Sequence, residues 1–180
     1  LTSRILYRVF PHSSSARKNA PGHALHVPAT QGAGRLDNPE HYLVLYASDH
    51  PAGAVAEAFG NHTRWGDRMF VTGHGYRRSL AVLETSIDVL DLDDGRTLAA
   101  RHLRPSKVVT RRYSTTQAWA LRLFRMRRWG GVRWWSRHES TWGSFGIWDR
   151  TSMRVVDVLR LDGQHPAVEE ARDLLAREWI

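Results

Sequence analysis

Three polar side chains in the first third of the chain could do chemistry together: Arg35, Tyr46 and Glu57, successive members eleven positions apart. A guanidinium, a phenol and a carboxylate delivered by a loop, a strand end and a helix suit a dinucleotide whose glycosidic bond is broken. The guanidinium can take a phosphate in a two-pronged grip. A fixed carboxylate can favour a carbon that becomes cationic as its bond to nitrogen breaks. A plainer reading competes, with Arg35 solvated, Tyr46 packed and Glu57 on the wet face of a helix, because surface charges seldom act in chemistry. Glu57 speaks against it: it is a lone carboxylate between Ala56, Ala58 and Phe59, in a segment otherwise without charge.

The surrounding pattern supplies the elements that would position them. Residues 4–10 are rich in strand formers and are closed by Pro11. From 12 to 40 the composition turns to Ser, Pro, Gly, His and Asn, which predicts a long irregular segment of the kind that is functional or mobile. Residues 42–47 predict a strand buried on both faces, with Tyr46 near its end. Ser48 or Asp49 can cap a helix with Pro51 in its first turn and Gly60 at its end. Further strands are expected at 79–87 and 89–92, with Asp93-Asp94-Gly95 as a turn and a short helix over 97–103. The longest helix is expected over 115–128, stopped by Gly130-Gly131. Late strands follow at 131–135, 144–148 and 153–159, and an amphipathic helix over 166–179 with Val168, Leu174, Leu175 and Trp179 on its apolar side. Strands and helices alternate without a βαβ rhythm or a repeat. The class is α+β, in one domain spanning 1–180.

At 180 residues and 42% hydrophobic the chain is long enough for one real core. No apolar run reaches the length of a membrane span, so no membrane partner is expected. The opening residues do not read as a signal peptide, and Leu1 in place of Met allows for a short upstream piece. The absence of cysteine removes disulfides, thiolate metal sites and a thiol nucleophile, and fits a reducing cytoplasm. The net charge of +8 is carried almost wholly by arginine, since Lys18 and Lys107 are the only lysines. No Asp or Glu occurs from Gly95 to His138. That stretch attracts anions: nucleic acid, a phosphorylated ligand or an acidic protein.

Several familiar chemistries are not written here. Gly32-Ala33-Gly34 lacks the third glycine of a Rossmann turn, Gly143-Ser144-Phe145-Gly146 lacks the spacing of a nucleophile elbow, and no Walker loop occurs. His23 and His26 in a Pro/Gly loop are not convincing metal spacing, so no metal is assigned. No recognised nucleic-acid module frames the tryptophans, which makes direct nucleic-acid binding the weaker reading.

In Tyr7-Arg8-Val9, Gly34-Arg35, Leu45-Tyr46-Ala47, Ala56-Glu57, the run Gly131-Val132-Arg133-Trp134-Trp135-Ser136-Arg137 and the strand Phe145-Gly146-Ile147-Trp148, the chain resembles the RES-domain toxins of bacterial toxin–antitoxin pairs. The resemblance runs from Arg4 to about Leu161. The Arg, Glu and Ser of the family name match Arg35, Glu57 and Ser136. It departs from the family in Leu36-Asp37-Asn38 after Arg35 and in the long loop between Arg8 and Arg35. The resemblance implies a single compact domain, an ADP-ribosyltransferase-like mixed β core flanked by helices. It also implies NAD as the substrate, degraded by hydrolysis or phosphorolysis, or used to ADP-ribosylate a protein. The implied partner is an Xre-like helix-turn-helix antitoxin that plugs the pocket; whether that complex is oligomeric stays open. On this reading Arg8 and Arg35 grip the pyrophosphate, and Tyr46 stacks on or hydrogen-bonds beside the nicotinamide. Glu57 stabilises the anomeric cation, and Ser136 orients the nicotinamide amide or a phosphate. A basic nucleic-acid-binding domain without enzymatic activity is the alternative from another class.

Overall fold

The structure, a computed structural model, describes residues 2–149 and 151–180. A mixed seven-stranded sheet carries it, built from β1 (Thr2–His12), β2 (Val44–Ser48), β4 (Arg77–Ile87), β5 (Val89–Asp91), β6 (Gly131–Trp135), β7 (Gly143–Trp148) and β8 (Arg154–Arg160). Their order is β5-β6-β7-β2-β1-β4-β8, with β5 and β6 parallel and the remaining neighbours antiparallel. Two short strands, β3 (Arg64–Trp65) and β9 (Glu178–Trp179), pair in parallel outside it. The helices are α1 (Pro51–Phe59), α2 (Gly95–Ala100), α3 (Pro105–Val108), α4 (Tyr113–Arg125) and α5 (Pro166–Leu174).

The sheet is α+β as expected, and alternation along its strands sorts the core. Tyr7 and Val9 of β1 pack under α1 and α5 with Val55, Phe59, Trp65 and Val168. Val44 and Tyr46 of β2 join Val132 and Trp148 beneath α2 to α4, where Trp119 and Leu123 are buried. Leu6, Phe10, Leu45, Phe145 and Ile147 face the other way, under Ala24, Leu25 and Val27 of the irregular segment. Two helical groups thus share one face of the sheet. The seam in the sheet itself is at β1 and β2, whose ladder has a single register pair, Tyr7 with Ser48.

Several boundaries differ from the sequence pattern for identifiable reasons. β1 runs through Pro11, because beyond Tyr7 its β2 side has no ladder for a proline to break. Neither Ser48 nor Asp49 caps α1. The Ser48 hydroxyl donates to the Gly143 carbonyl, Asp49 accepts from the Gly143 N–H, and His50 takes the cap position. The expected 93–95 turn is a helix start: Asp94 accepts from the N–H groups of Arg96 and Thr97, and α2 begins two residues before expectation. α4 ends at Arg125 rather than at the glycine pair, with Arg127 in the left-handed region at φ 53°. α5 stops at Leu174; Ala176 turns at φ 50°, and Trp179 leaves the helix to pair in β9 and pack on Phe70.

The irregular segment is tied to the sheet by one side chain acting as a strand. Gln31 donates from Nε2 to the Val44 carbonyl at 2.7 Å and accepts the Val44 N–H at 2.8 Å through Oε1. Replacing Gln31 with Ala is expected to cost about 1 kcal/mol or more, the net worth of such bonds when backbone groups lose their partner, read as a lower urea midpoint with unchanged slope.

Candidate functional site

Tyr46 lies on the helix-bearing face near the end of β2, and its phenol is fully engaged. It donates to Asp37 Oδ1 at 2.6 Å and accepts the Leu36 N–H at 2.8 Å, while Asp37 Oδ2 accepts the Gly34 N–H at 2.7 Å. Burial, then the bond to Asp37, push the phenol well above its ordinary range. A tight loop over residues 34–37 is thereby pinned to the sheet. It needs glycine at 34, where a Cβ would come within 2.5 Å of Asp37 Oδ1 and 2.6 Å of the Tyr46 hydroxyl.

Arg35 sits at the crest of that loop. Its Nη1 donates to the carbonyls of Val108 at 2.6 Å and Thr110 at 3.2 Å, and its guanidinium lies over the Tyr113 ring, 5.6 Å from the centroid. α4 holds the loop's backbone: the Thr116 hydroxyl donates to the Arg35 carbonyl, and Gln117 Nε2 to that of Gly34. Burial lowers the Arg35 pKa, and the nearby Tyr113, Glu57 and Tyr46 oppose that fall. Arg35, Tyr46 and Glu57 therefore share one electrostatic neighbourhood, although they arrive from a loop, a strand and a helix.

Glu57 projects from the last turns of α1 with its carboxylate open to solvent. Ser136, just past the end of β6 and 3% exposed, donates its hydroxyl to Glu57 Oε1 at 3.2 Å and accepts the His138 N–H at 3.1 Å. Four of the five sequence-derived site residues, Arg35, Tyr46, Glu57 and Ser136, are thus linked by a hydrogen bond or through their fields. Arg8 is placed apart. It lies on the other face of β1, between Leu6 and Phe10, where its Nη1 donates to the Ala24 carbonyl at 2.7 Å and burial lowers its pKa to about 10. Its position ties down the irregular segment instead of joining Arg35.

Residues 5–169 match the family model of the RES domain. The chain belongs to the RES-domain family. Its fold is similar to that of a chain in the crystal structure of the M. tuberculosis MbcT–MbcA toxin–antitoxin complex, with a TM-score of 0.59 and 14% identity over 97% of this chain and 90% of that one. No curated protein sequence matches it.

This RES domain adds residues to the site that its sequence does not single out. Asp37 lies in the stretch that departs from the family pattern, yet it anchors Tyr46 and is buried (5% exposed); its sequence signal was only a carboxylate two residues after Gly34-Arg35. His138 stands against Gly60 at the end of α1, so close that a Cβ on Gly60 would lie 2.5 Å from its Cε1. Arg137 Nε donates to His138 Nε2 at 3.2 Å, and Arg137 Nη2 to Asn61 at 2.9 Å. Arg177, whose Nη2 donates to the Gly60 carbonyl at 2.9 Å, adds its charge to that of Arg137 beside His138. Only the fold brings Arg177 there. Among the described residues no group of His, Cys, Asp and Glu could hold a metal ion.

Two outcomes follow from these bonds. Tyr46→Phe leaves a buried carboxylate oxygen and the Leu36 N–H without a partner, and is expected to destabilise the fold by about 1–3 kcal/mol in a denaturant titration. Burial lowers the His138 pKa, the Glu57 charge raises it, and Arg137 and Arg177 lower it further; the net shift is downward. Between that lowered value and the ordinary one of about 6.5 the unfolded chain binds more protons, so stability is lost as pH falls through this window. His138→Gln should flatten that part of the stability–pH curve relative to the wild type.

Proposed function

We propose that this chain is the toxin of a toxin–antitoxin pair and that it degrades NAD by cleaving the bond between nicotinamide and ribose. The observation that supports the reading is that Arg35 interacts electrostatically with both Tyr46 and Glu57, whose carboxylate is held by Ser136. A site with one carboxylate and several guanidinium groups suits a ligand that is anionic at its pyrophosphate and becomes cationic at its anomeric carbon.

In the proposed reaction the C1′–N bond breaks and its electron pair goes to the nicotinamide nitrogen. Nicotinamide then leaves as a neutral molecule, and no general acid is needed. The oxocarbenium-like carbon left behind is stabilised by the Glu57 carboxylate. Ser136 acts on Glu57: its hydroxyl fixes Oε1, leaving Oε2 for ribose hydroxyls. Arg35 has Nη1 occupied by two carbonyls, and its remaining N–H groups serve the pyrophosphate. Because the Tyr46 hydroxyl is taken by Asp37 and Leu36, Tyr46 contributes its ring face, and its role is stacking. Water, phosphate or a protein side chain then captures the cation, giving hydrolysis, phosphorolysis or ADP-ribosylation. An Xre-like antitoxin covering this site would keep the chain inactive.

Incubation of the pure protein with NAD, with and without phosphate, identifies the acceptor from the products. Glu57→Gln is expected to lower turnover about 100- to 1,000-fold with NAD binding retained; wild-type turnover in that variant would remove Glu57 from the mechanism. Arg35→Ala should weaken NAD binding about tenfold or more, the loss of a charge-assisted contact, and normal binding would rule out its pyrophosphate role.

A further inference from the structure

Away from the Glu57 site, the end of α2 and the second half of α4 enclose a separate recess of about 170 Å³. Its floor is Leu103, Trp119, Leu123 and Met126, and Arg101 and Arg122 flank it. Met126 caps α4 and is 52% exposed, an apolar side chain at the edge of an apolar hollow. The Trp119 indole N–H is already given to the Lys107 carbonyl at 3.1 Å, so the tryptophan presents only apolar surface. Arg101 lays its guanidinium over the Trp129 ring at 4.8 Å and points Nη1 at the Met126 sulfur at 4.0 Å. Its Nε is buried without an acceptor among the described residues.

Charge around the recess is one-sided. Arg104, Lys107, Arg122 and Arg125 are exposed, and among the described residues neither they nor Arg101 have a carboxylate within ion-pair distance. We infer that this recess is a docking surface for an acidic amphipathic segment of a protein partner, which seats an aliphatic side chain against the exposed Met126 at the mouth of the recess and its carboxylates on Arg101 and Arg122. The size argues for a side chain, since small-molecule pockets run to about 300–1,000 Å³. The aromatic groups argue against a nucleic acid. Trp119 is buried, and Trp129 is already approached by the guanidinium groups of Arg101 at 4.8 Å and Arg128 at 5.3 Å, so no clear ring is offered for base stacking. Helix-in-groove recognition with flanking charge fits both the apolar floor and the cationic rim. The inference rests on the proposed toxin–antitoxin reading only for which protein the partner is.

The test is fluorescence anisotropy of the full chain with three labelled probes: a synthetic amphipathic helix of Leu and Glu, a scrambled peptide of the same composition, and single-stranded DNA. The patterned peptide should bind, more weakly as salt rises, and both Met126→Glu and Arg122→Glu should weaken it about tenfold or more without changing NAD cleavage or the melting temperature. Equal binding of the scrambled peptide, indifference of the patterned peptide to Met126→Glu, or preference for DNA would overturn the inference. If the peptide fails to bind while NAD is consumed, the docking surface alone is lost. If the peptide binds while NAD is left intact, the catalytic reading alone is lost.

Discussion

The arrangement depends on a buried carboxylate bridged to a phenol. Asp37 takes the Gly34 N–H on one oxygen and the Tyr46 hydroxyl on the other, and the same hydroxyl receives the Leu36 N–H. These bonds close a short ring joining a loop to a strand in a place where water is excluded, so none of its members can be lost without leaving another unsatisfied. The loop carries Arg35, and Arg35 in turn collects carbonyls from the end of α3 and the connection to α4. One interaction thereby sets where the guanidinium stands, which way the Tyr46 ring faces, and how the helices beyond are held.

From that anchor the site extends across the junction of the two helical groups. α1 brings Glu57, and the turn after β6 brings Ser136 and His138 to meet it. Arg35 and Glu57 are each held by something other than their own element: Arg35 by α4, Glu57 by Ser136. Such cross-bracing limits the freedom of long side chains and leaves the solvent-facing carboxylate as the least constrained member. It also explains why Arg8 stands apart. Strand alternation points it away from Tyr7, into the face that the irregular segment covers, where a guanidinium is accommodated only with a carbonyl to donate to.

The second polar theme is an excess of arginine without acidic partners. Along α2 to α4 the guanidinium groups lie over aromatic rings and beside apolar side chains, with few carboxylates to neutralise them. No Asp or Glu lies between Gly95 and His138, while the three carboxylates of Asp49, Asp91 and Asp93 gather around Arg133. A surface with that polarity keeps a long-range attraction for anionic partners.

Periodicity and punctuation in the chain determined the α+β class, the seven main strands to within a few residues and the existence of α1, α4 and α5, because each depends on local spacing of apolar residues and on nearby breakers. Arg35, Tyr46, Glu57 and Ser136 could be singled out by type and by family resemblance. Their roles could not. That Tyr46 spends its hydroxyl on Asp37, that Ser136 serves Glu57, that Arg8 faces the wrong side of β1 and that Arg177 arrives beside Gly60 all follow from contacts between residues far apart in sequence. The same holds for β3 and β9, two-residue strands too short to leave a pattern, which exist because the chain end is brought alongside Trp65. Local sequence decides what an element is; only the packed molecule decides which of its polar atoms remain free to act.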